Sequence, residues 1–389
     1  MIDRPVYLEK LLRWKDRDVI KVVTGVRRCG KSTLLTLFMS ELERLGVPPE
    51  RIISINFERL EYERLLDYHA LHDEVVGRAR SGSMNYVLLD EVQNVPEFQR
   101  VIDSLYVRDN IDLYVTGSNA LLLGGTLATL LSGRYVEINM LPLSFGEYRT
   151  ALGGSVSPSR AYRRYIERGS FPATMDFSDD ALTLHDYLNG ILNTVLLKDV
   201  AQRLNISNNL GLRALVTYLF DNIGNLTSAK RISDAIASTG TKISANTVME
   251  YLSALCDSFI FYPASRYDVR GRRVLKLQQK YYAVDLGMRR TALSGRVRDT
   301  GRILENVVYL ELRRRFGEVY VGRTGDLPEY FQVAESAVQE QTLERELAPL
   351  RTVRDNRPKT LITMDDADPG DHDGIRRVFA LEWLEETYR

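Results

Sequence analysis

Residues 25–33 carry the plainest chemistry in the chain: Gly25-Val26-Arg27-Arg28-Cys29-Gly30-Lys31-Ser32, followed by Thr33. The spacing is G-x-x-x-x-G-K-[ST]. In that pattern backbone N–H groups of a glycine-bearing loop wrap nucleotide phosphates, the lysine reaches the β- and γ-phosphates, and the serine hydroxyl ligates Mg²⁺. A second acidic element follows. Tyr86-Val87-Leu88-Leu89 is an apolar run that ends in Asp90-Glu91. Asp90 is the expected metal partner of Ser32, and Glu91 the group that polarises an attacking water. Alone, an Asp-Glu pair is a solvated strand end. One β-α-β passage after a phosphate loop, it reads as part of the same site.

Two further candidates are weaker. Thr116-Gly117-Ser118-Asn119 closes another apolar run, and the carboxyl ends of parallel strands border bound nucleotides. Thr116, Ser118 or Asn119 would sense the γ-phosphate or orient water, and Ser118 and Asn119 equally suit a helix N-cap. Arg134, after Ser132-Gly133, would neutralise transition-state charge as an arginine finger or simply be a surface arginine. Arg27 and Arg28 are phosphate contacts or solvated side chains. No Asn-Lys-x-Asp sequence is present, which argues against guanine and for ATP.

These residues need a scaffold. Strand patterns at 19–24, 51–57, 85–90, 111–116 and 135–139 alternate with helical patterns, notably 32–45 and 97–107. That alternation predicts a parallel sheet with helices on both faces. The helix opening at Ser32 would add its positive dipole end beneath the phosphates. Gly153–Ser159 reads as a loop, 160–257 as mainly helical, 259–283 as strands, and 300–389 as mixed α/β. In the last region 302–316 is helical, and 318–321, 329–334 and 360–364 are short strands. The predicted domains are 1–150, 151–295 and 296–389.

Composition narrows the class. The 389 residues include 52 Lys or Arg against 52 Asp or Glu, with 44% hydrophobic residues. No overall charge bias points to nucleic acid or membranes, so any such patch must be local. Cys29 and Cys256 are the two cysteines. One lies inside the phosphate loop, which argues against a structural disulfide and for a reducing compartment. The polar, broken N-terminus is unlike a signal peptide, and no apolar run approaches the roughly 18 residues of a spanning helix. A cytoplasmic protein without a membrane partner is expected.

The ordered motifs resemble a known family. They comprise Thr24–Thr33, Leu88–Gln93, Thr116–Asn119, Gly133-Arg134 and Leu141–Glu147. Gly169-Ser170-Phe171-Pro172, Leu196–Val200 and Gly301–Tyr309 follow. Together they resemble the prokaryotic AAA+-like P-loop ATPases with a conserved C-terminal domain of unknown function. The resemblance covers nearly the whole chain. It implies an AAA+-like P-loop NTPase core with ATP and Mg²⁺, then a winged-helix region, then a small restriction-endonuclease-like α/β domain. It implies no substrate.

The middle region reads as a winged helix on its own residues, with short helices at 228–236 and from 244, and a wing at Arg270-Gly271-Arg272-Arg273. From 266 to 290 there are eight Lys or Arg against Asp268 and Asp285, interleaved with Tyr267, Tyr281 and Tyr282. This is a DNA footprint or, equally, a protein-docking hairpin. In the last domain Glu305 would be the first acid of a nuclease. Yet only Leu327-Pro328-Glu329 separates Gly325-Asp326 from Tyr330–Val333, too short for the acid-bearing hairpin. No lysine follows Gln332 at the needed spacing, so nuclease activity is not expected. Two readings of function remain. One is an ATP-hydrolysing switch or motor acting on DNA or a DNA-bound partner. The other is a nucleotide-gated protein-interaction regulator. If Arg134 acts in trans, ATP should promote a homo-oligomer.

Overall fold

In the computed structural model, described residues are 1–120, 133–153, 156–177, 180–206, 209–268, 273–295, 299–321, 329–366 and 370–386; side chains of 266–268 and 273–277 are excepted. The chain divides into two compact units, Met1–Leu141 with 257–259, and Pro142–Cys256 with Ile260–Arg389.

The first unit contains α1 (Pro5–Arg13), β1 (Ile20–Thr24), α2 (Lys31–Arg44), β2 (Ile52–Asn56), α3 (Tyr68–Arg78), β3 (Asn85–Asp90), α4 (Phe98–Tyr106), β4 (Ile111–Gly117) and β5 (Tyr135–Asn139). The sheet order is β2-β3-β4-β1-β5, and every pair is parallel. Val22, Val87, Leu89 and Val115 are fully buried, as strands covered on both faces must be. Helix α4 shows how the pattern works. Phe98, Val101, Ile102 and Leu105 recur at three- and four-residue intervals and are its buried residues. The strand order matters for the site. β4 lies between β1 and β3, so Thr116 is paired with Val23 on one side while β4 pairs with β3 on the other.

The second unit contains α5 (Phe145–Ala151), α6 (Pro158–Arg168), α7 (Ala181–Thr194), α8 (Leu210–Asp221), α9 (Ala229–Ala237), α10 (Ala245–Asp257, whose last residue falls in the first unit), the antiparallel pair β6 (Phe261–Asp268) and β7 (Arg273–Ala283), α11 (Leu286–Ala292) and α12 (Thr300–Phe316). A sheet β10-β11-β9-β8 follows, from β8 (Tyr330–Ala334), β9 (Lys359–Thr363), β10 (Asp371–His372) and β11 (Ile375–Phe379), with α13 (Glu340–Arg351) and α14 (Ala380–Glu385). Helix α7 runs directly into a π-helical turn, Val195–Ala201, which contains the Leu196–Val200 motif.

Two motifs turn out to be fold joints. Gly169 and Ser170 dock on Asp285, the buried N-cap of α11. Asp285 accepts the Ser170 hydroxyl at 2.9 Å and the Met288 N–H at 2.6 Å. A Cβ on Gly169 would lie 2.5 Å from Asp285 Oδ1, and one on Gly287 2.6 Å from the Arg168 backbone, so both close approaches require glycine. In the second joint, Glu305 accepts from Lys280 Nζ at 2.6 Å and Tyr282 OH at 2.7 Å. Asn306 exchanges two hydrogen bonds with the Ala283 backbone. Glu305 is thus tied to β7, not presented as a metal ligand. The Gly325–Pro328 segment of the shortened hairpin lies outside the described residues.

The basic 266–290 stretch is also partly consumed by the fold. Lys280 is paired with Glu305. Arg289 is buried and donates to the Phe220 carbonyl at 2.7 Å. Tyr281 and Tyr282 are buried, and Tyr282 stacks on Tyr309 with centroids 3.9 Å apart. These tyrosines are core residues, not a stacking platform for bases. The wing tip at Arg270-Gly271-Arg272 lies outside the described residues, as does the side chain of Arg273.

Candidate functional site

The loop between β1 and α2 owes its shape to glycine at two places. Gly25 has φ of 151°, and a Cβ there would stand 2.2 Å from the Met140 carbonyl oxygen. Gly30 takes φ of 105° as the residue preceding α2. With no side chain it cannot cap the helix. The first intrahelical bond is Leu34 N–H to Gly30 O at 2.9 Å. The amides of Lys31, Ser32 and Thr33 therefore have no acceptor inside the helix and point from its positive end. Arg28, exposed, is left-handed at φ of 68°. Val26 and Cys29 are fully buried and anchor the loop from below, while Ser32 is exposed and Thr33 half-buried. Arg27 lies 3.9 Å from Glu58.

Lys31 meets Glu91 within this unit. Its Nζ is 3.2 Å from Glu91 Oε1 and donates to the Gly25 carbonyl at 3.1 Å. The two side chains are 3% and 8% exposed. Burial pushes the Glu91 carboxyl up, but Lys31 and the Gln93 amide outweigh it and hold the group below its ordinary value. Glu91 itself is left-handed, φ 55° and ψ 47°, a conformation costly for a non-glycine residue. Its N–H is held by Thr116 Oγ1 at 2.9 Å.

Asp90 is 3% exposed and fixed on both oxygens. Asn56 Nδ2 donates to Oδ2 at 2.6 Å, and the Thr116 hydroxyl donates to Oδ1. Thr116 thus positions both acids. Ser118, buried, lies 3.4 Å from Gln93 Nε2, and Asn119 is half-buried just beyond β4 at the same carboxyl edge. Gly25–Thr33, Asp90, Glu91 and Asn119 accordingly follow β1, β3 and β4 at one edge of the sheet. Arg134 does not join them. It precedes β5, whose Tyr135 pairs with Ile20 at the start of β1. Four strand steps, about 13 Å, separate that level from Thr24. Arg134 is paired with Asp103 at 2.9 Å and lies over the Tyr106 ring.

Three supporting residues had no assigned role from sequence. Asn56 ends β2 directly opposite Asp90 in register, so a polar residue at a strand's carboxyl end was its signal. Gln93 was visible only as part of a motif. Arg4 gave no signal. It is 2% exposed, and its guanidinium holds the carbonyls of Cys29 at 2.9 Å and Leu141 at 2.6 Å, clamping the loop from below. Cys29 is wholly buried, and desolvation pushes its thiol up, so it stays protonated inside the loop.

Parallel sheet, glycine-shaped loop, buried lysine and paired acids define an AAA-type P-loop ATPase-like fold. A family profile described as an AAA domain matches residues 17–149, and one described as a domain of unknown function matches 159–300. The chain belongs to the same family as an uncharacterized protein of Haemophilus influenzae, to which it is 37% identical over 99% of this chain and 98% of that protein. An uncharacterized protein of Methanocaldococcus jannaschii is 30% identical over 76% of this chain and 67% of its own length. Among solved structures, a Walker-type ATPase of Pyrococcus abyssi is similar with a TM-score of 0.52 at 15% identity. That match covers 75% of this chain and 96% of that one, a likeness of fold.

Proposed function

We propose that the chain is a Mg²⁺-dependent ATPase, an AAA+-like switch or motor. The buried Lys31–Glu91 pair beside an uncapped helix N-terminus carries this reading. The residues present fit the nucleotide: a glycine-cut cradle, three amides without helical acceptors, and a cation held by a displaceable carboxylate. Residues 25–33 would hold the phosphates, with Ser32 and Asp90 holding Mg²⁺. The metal would supply charge neutralisation on the phosphate oxygens. Glu91 takes the proton of a water as its oxygen bonds the γ-phosphorus and the bond to the bridging oxygen breaks, releasing ADP and phosphate. Asn119 is the proposed sensor at the carboxyl edge. Arg134, at the opposite edge, is a candidate finger only for a neighbouring copy, which makes a homo-oligomer part of the proposal. Turnover with Mg²⁺ that is lost in Glu91→Gln, while nucleotide binding persists, supports the reading. Undiminished turnover in that variant refutes the role of Glu91.

The second unit is proposed to hold a winged helix, α9, α10 and the β6–β7 pair, followed by a degenerate endonuclease-like domain. Contact with DNA rests on the basic side chains of 266–277. The alternative, a nucleotide-gated regulator that docks protein, is favoured by the internal use of Lys280, Arg289, Tyr281 and Tyr282. A salt titration separates them. DNA affinity that falls steeply with salt supports the first, and no binding at low salt supports the second.

A further inference from the structure

Gln93 has an arrangement that the roles of Lys31, Asp90 and Glu91 do not use. Its Nε2 donates to Glu91 Oε2 and lies 3.4 Å from Ser118 Oγ. The orientation of the amide follows from chemistry. An ionised carboxylate only accepts, so the NH₂ must face Glu91 and the carbonyl must face away. That carbonyl oxygen, Gln93 Oε1, is buried and has no donor among the described residues. A buried acceptor without a donor is costly, so it calls for a partner beyond the protein: a water or a ligand atom. Meanwhile Glu91 has one oxygen on Lys31 and the other on Gln93. Once phosphate takes over Lys31, Gln93 is what still fixes the carboxylate.

We propose that Gln93 is the positioning residue of the site, holding Glu91 through Nε2 and offering Oε1 as the acceptor for one hydrogen of the water that Glu91 deprotonates. This rests on the ATPase reading above. The amide supplies geometry only. Its two ends orient the base and the water together, and the proton still passes to Glu91. Ser118 restrains the amide from the β4 side. A site so built should lose rate far more than affinity when the amide is removed, because the ground-state phosphate contacts belong to residues 25–33.

The test compares wild type, Gln93→Met and Gln93→Glu. Binding of a fluorescent ribose-labelled ATP, steady-state turnover and melting temperature are measured for each. Gln93→Met keeps length and volume without hydrogen bonds. Expected are ATP affinity within about threefold of wild type and a turnover number lowered roughly 100-fold, the cost of misplacing a reacting group by about 1 Å. Gln93→Glu sets a second carboxylate against Glu91 and should lose at least as much. The double variant with Glu91→Gln should lose no more than Glu91→Gln alone, since the two residues act as one unit. Wild-type turnover together with near-wild-type turnover in Gln93→Met overturns the inference and leaves the ATPase reading standing. An inert wild type overturns both. Should Gln93→Met lower the melting temperature, Gln93→Glu decides: turnover lost with binding kept supports the role, and turnover kept refutes it.

Discussion

Replacing Glu91 by glutamine should strengthen nucleotide binding, not merely stop turnover. Lys31 is neutralised by Glu91 at 3.2 Å, with both side chains nearly inaccessible. At an effective dielectric of about 20, two unit charges at that distance attract by about 5 kcal/mol. Part of this offsets the desolvation of both ions, and the substituted amide still accepts one N–H from Lys31. A net of about 2 kcal/mol for the pair is a reasonable working value, below the roughly 3–5 kcal/mol for removing one partner of a buried pair outright. Nucleotide must displace Glu91 from Lys31 in wild type but has no ion pair to break in the variant. Affinity should therefore rise roughly thirtyfold, since about 1.4 kcal/mol is a factor of ten. The ligand-free variant should be less stable by a similar amount, and its melting temperature should rise more on adding nucleotide. Titration with a non-hydrolysable ATP analogue, by fluorescence or calorimetry, measures the first quantity. Equal or weaker binding in Glu91→Gln, with unchanged ligand-free stability, refutes the idea that Glu91 stands in for phosphate.

Other outcomes follow from single contacts. Gly25→Ala would force a Cβ against the Met140 carbonyl at 2.2 Å; a loss of about 2–4 kcal/mol in unfolding free energy is expected, with nucleotide binding impaired. Asp285 is buried, and burial raises its carboxyl above the usual value of 3.8. Its contribution to stability is complete below that value and declines as pH rises through its raised folded-state value. Wild type's advantage over Asp285→Asn in denaturant melts should therefore shrink as pH climbs from about 4, and a constant gap would count against it. Cys29 should resist alkylation in the native protein and react once the chain is unfolded, as read by mass spectrometry of the loop peptide; rapid native labelling contradicts its burial.

The first unit was largely legible because its strands are uninterrupted apolar runs with chemistry at their ends. The pattern at 85–90 coincides with β3, and 135–139 with β5. What resisted reading was anything decided by pairing or by long-range contact. The 318–321 segment was expected as a strand, yet only Val321 bridges, through its N–H to the Ser265 carbonyl. The strand region 259–283 resolves into β6 and β7, whose ladder is interrupted: 273–275 and 279–283 of β7 pair with β6, and the register shifts between Ser265 and Arg266. β10 and β11 were missed, since Asp371–Gly374 reads as a loop and Arg376-Arg377 hides the alternation. At the site, Lys31, Asp90 and Glu91 announced themselves by spacing. Arg4 could not, because its clamp on Cys29 depends on a contact 25 residues away in sequence. Charge counting over 266–290 overstated a surface, because composition does not reveal that Arg289 is buried or that Lys280 already has Glu305.

The most direct test of the central claim is phosphate release from Mg-ATP by purified wild type, Lys31→Ala and Glu91→Gln, run beside a nucleotide-binding titration of each. The account predicts Mg²⁺-dependent turnover in wild type, neither binding nor turnover in Lys31→Ala, and binding without turnover in Glu91→Gln. No turnover in wild type, or turnover that survives in Glu91→Gln, would contradict it.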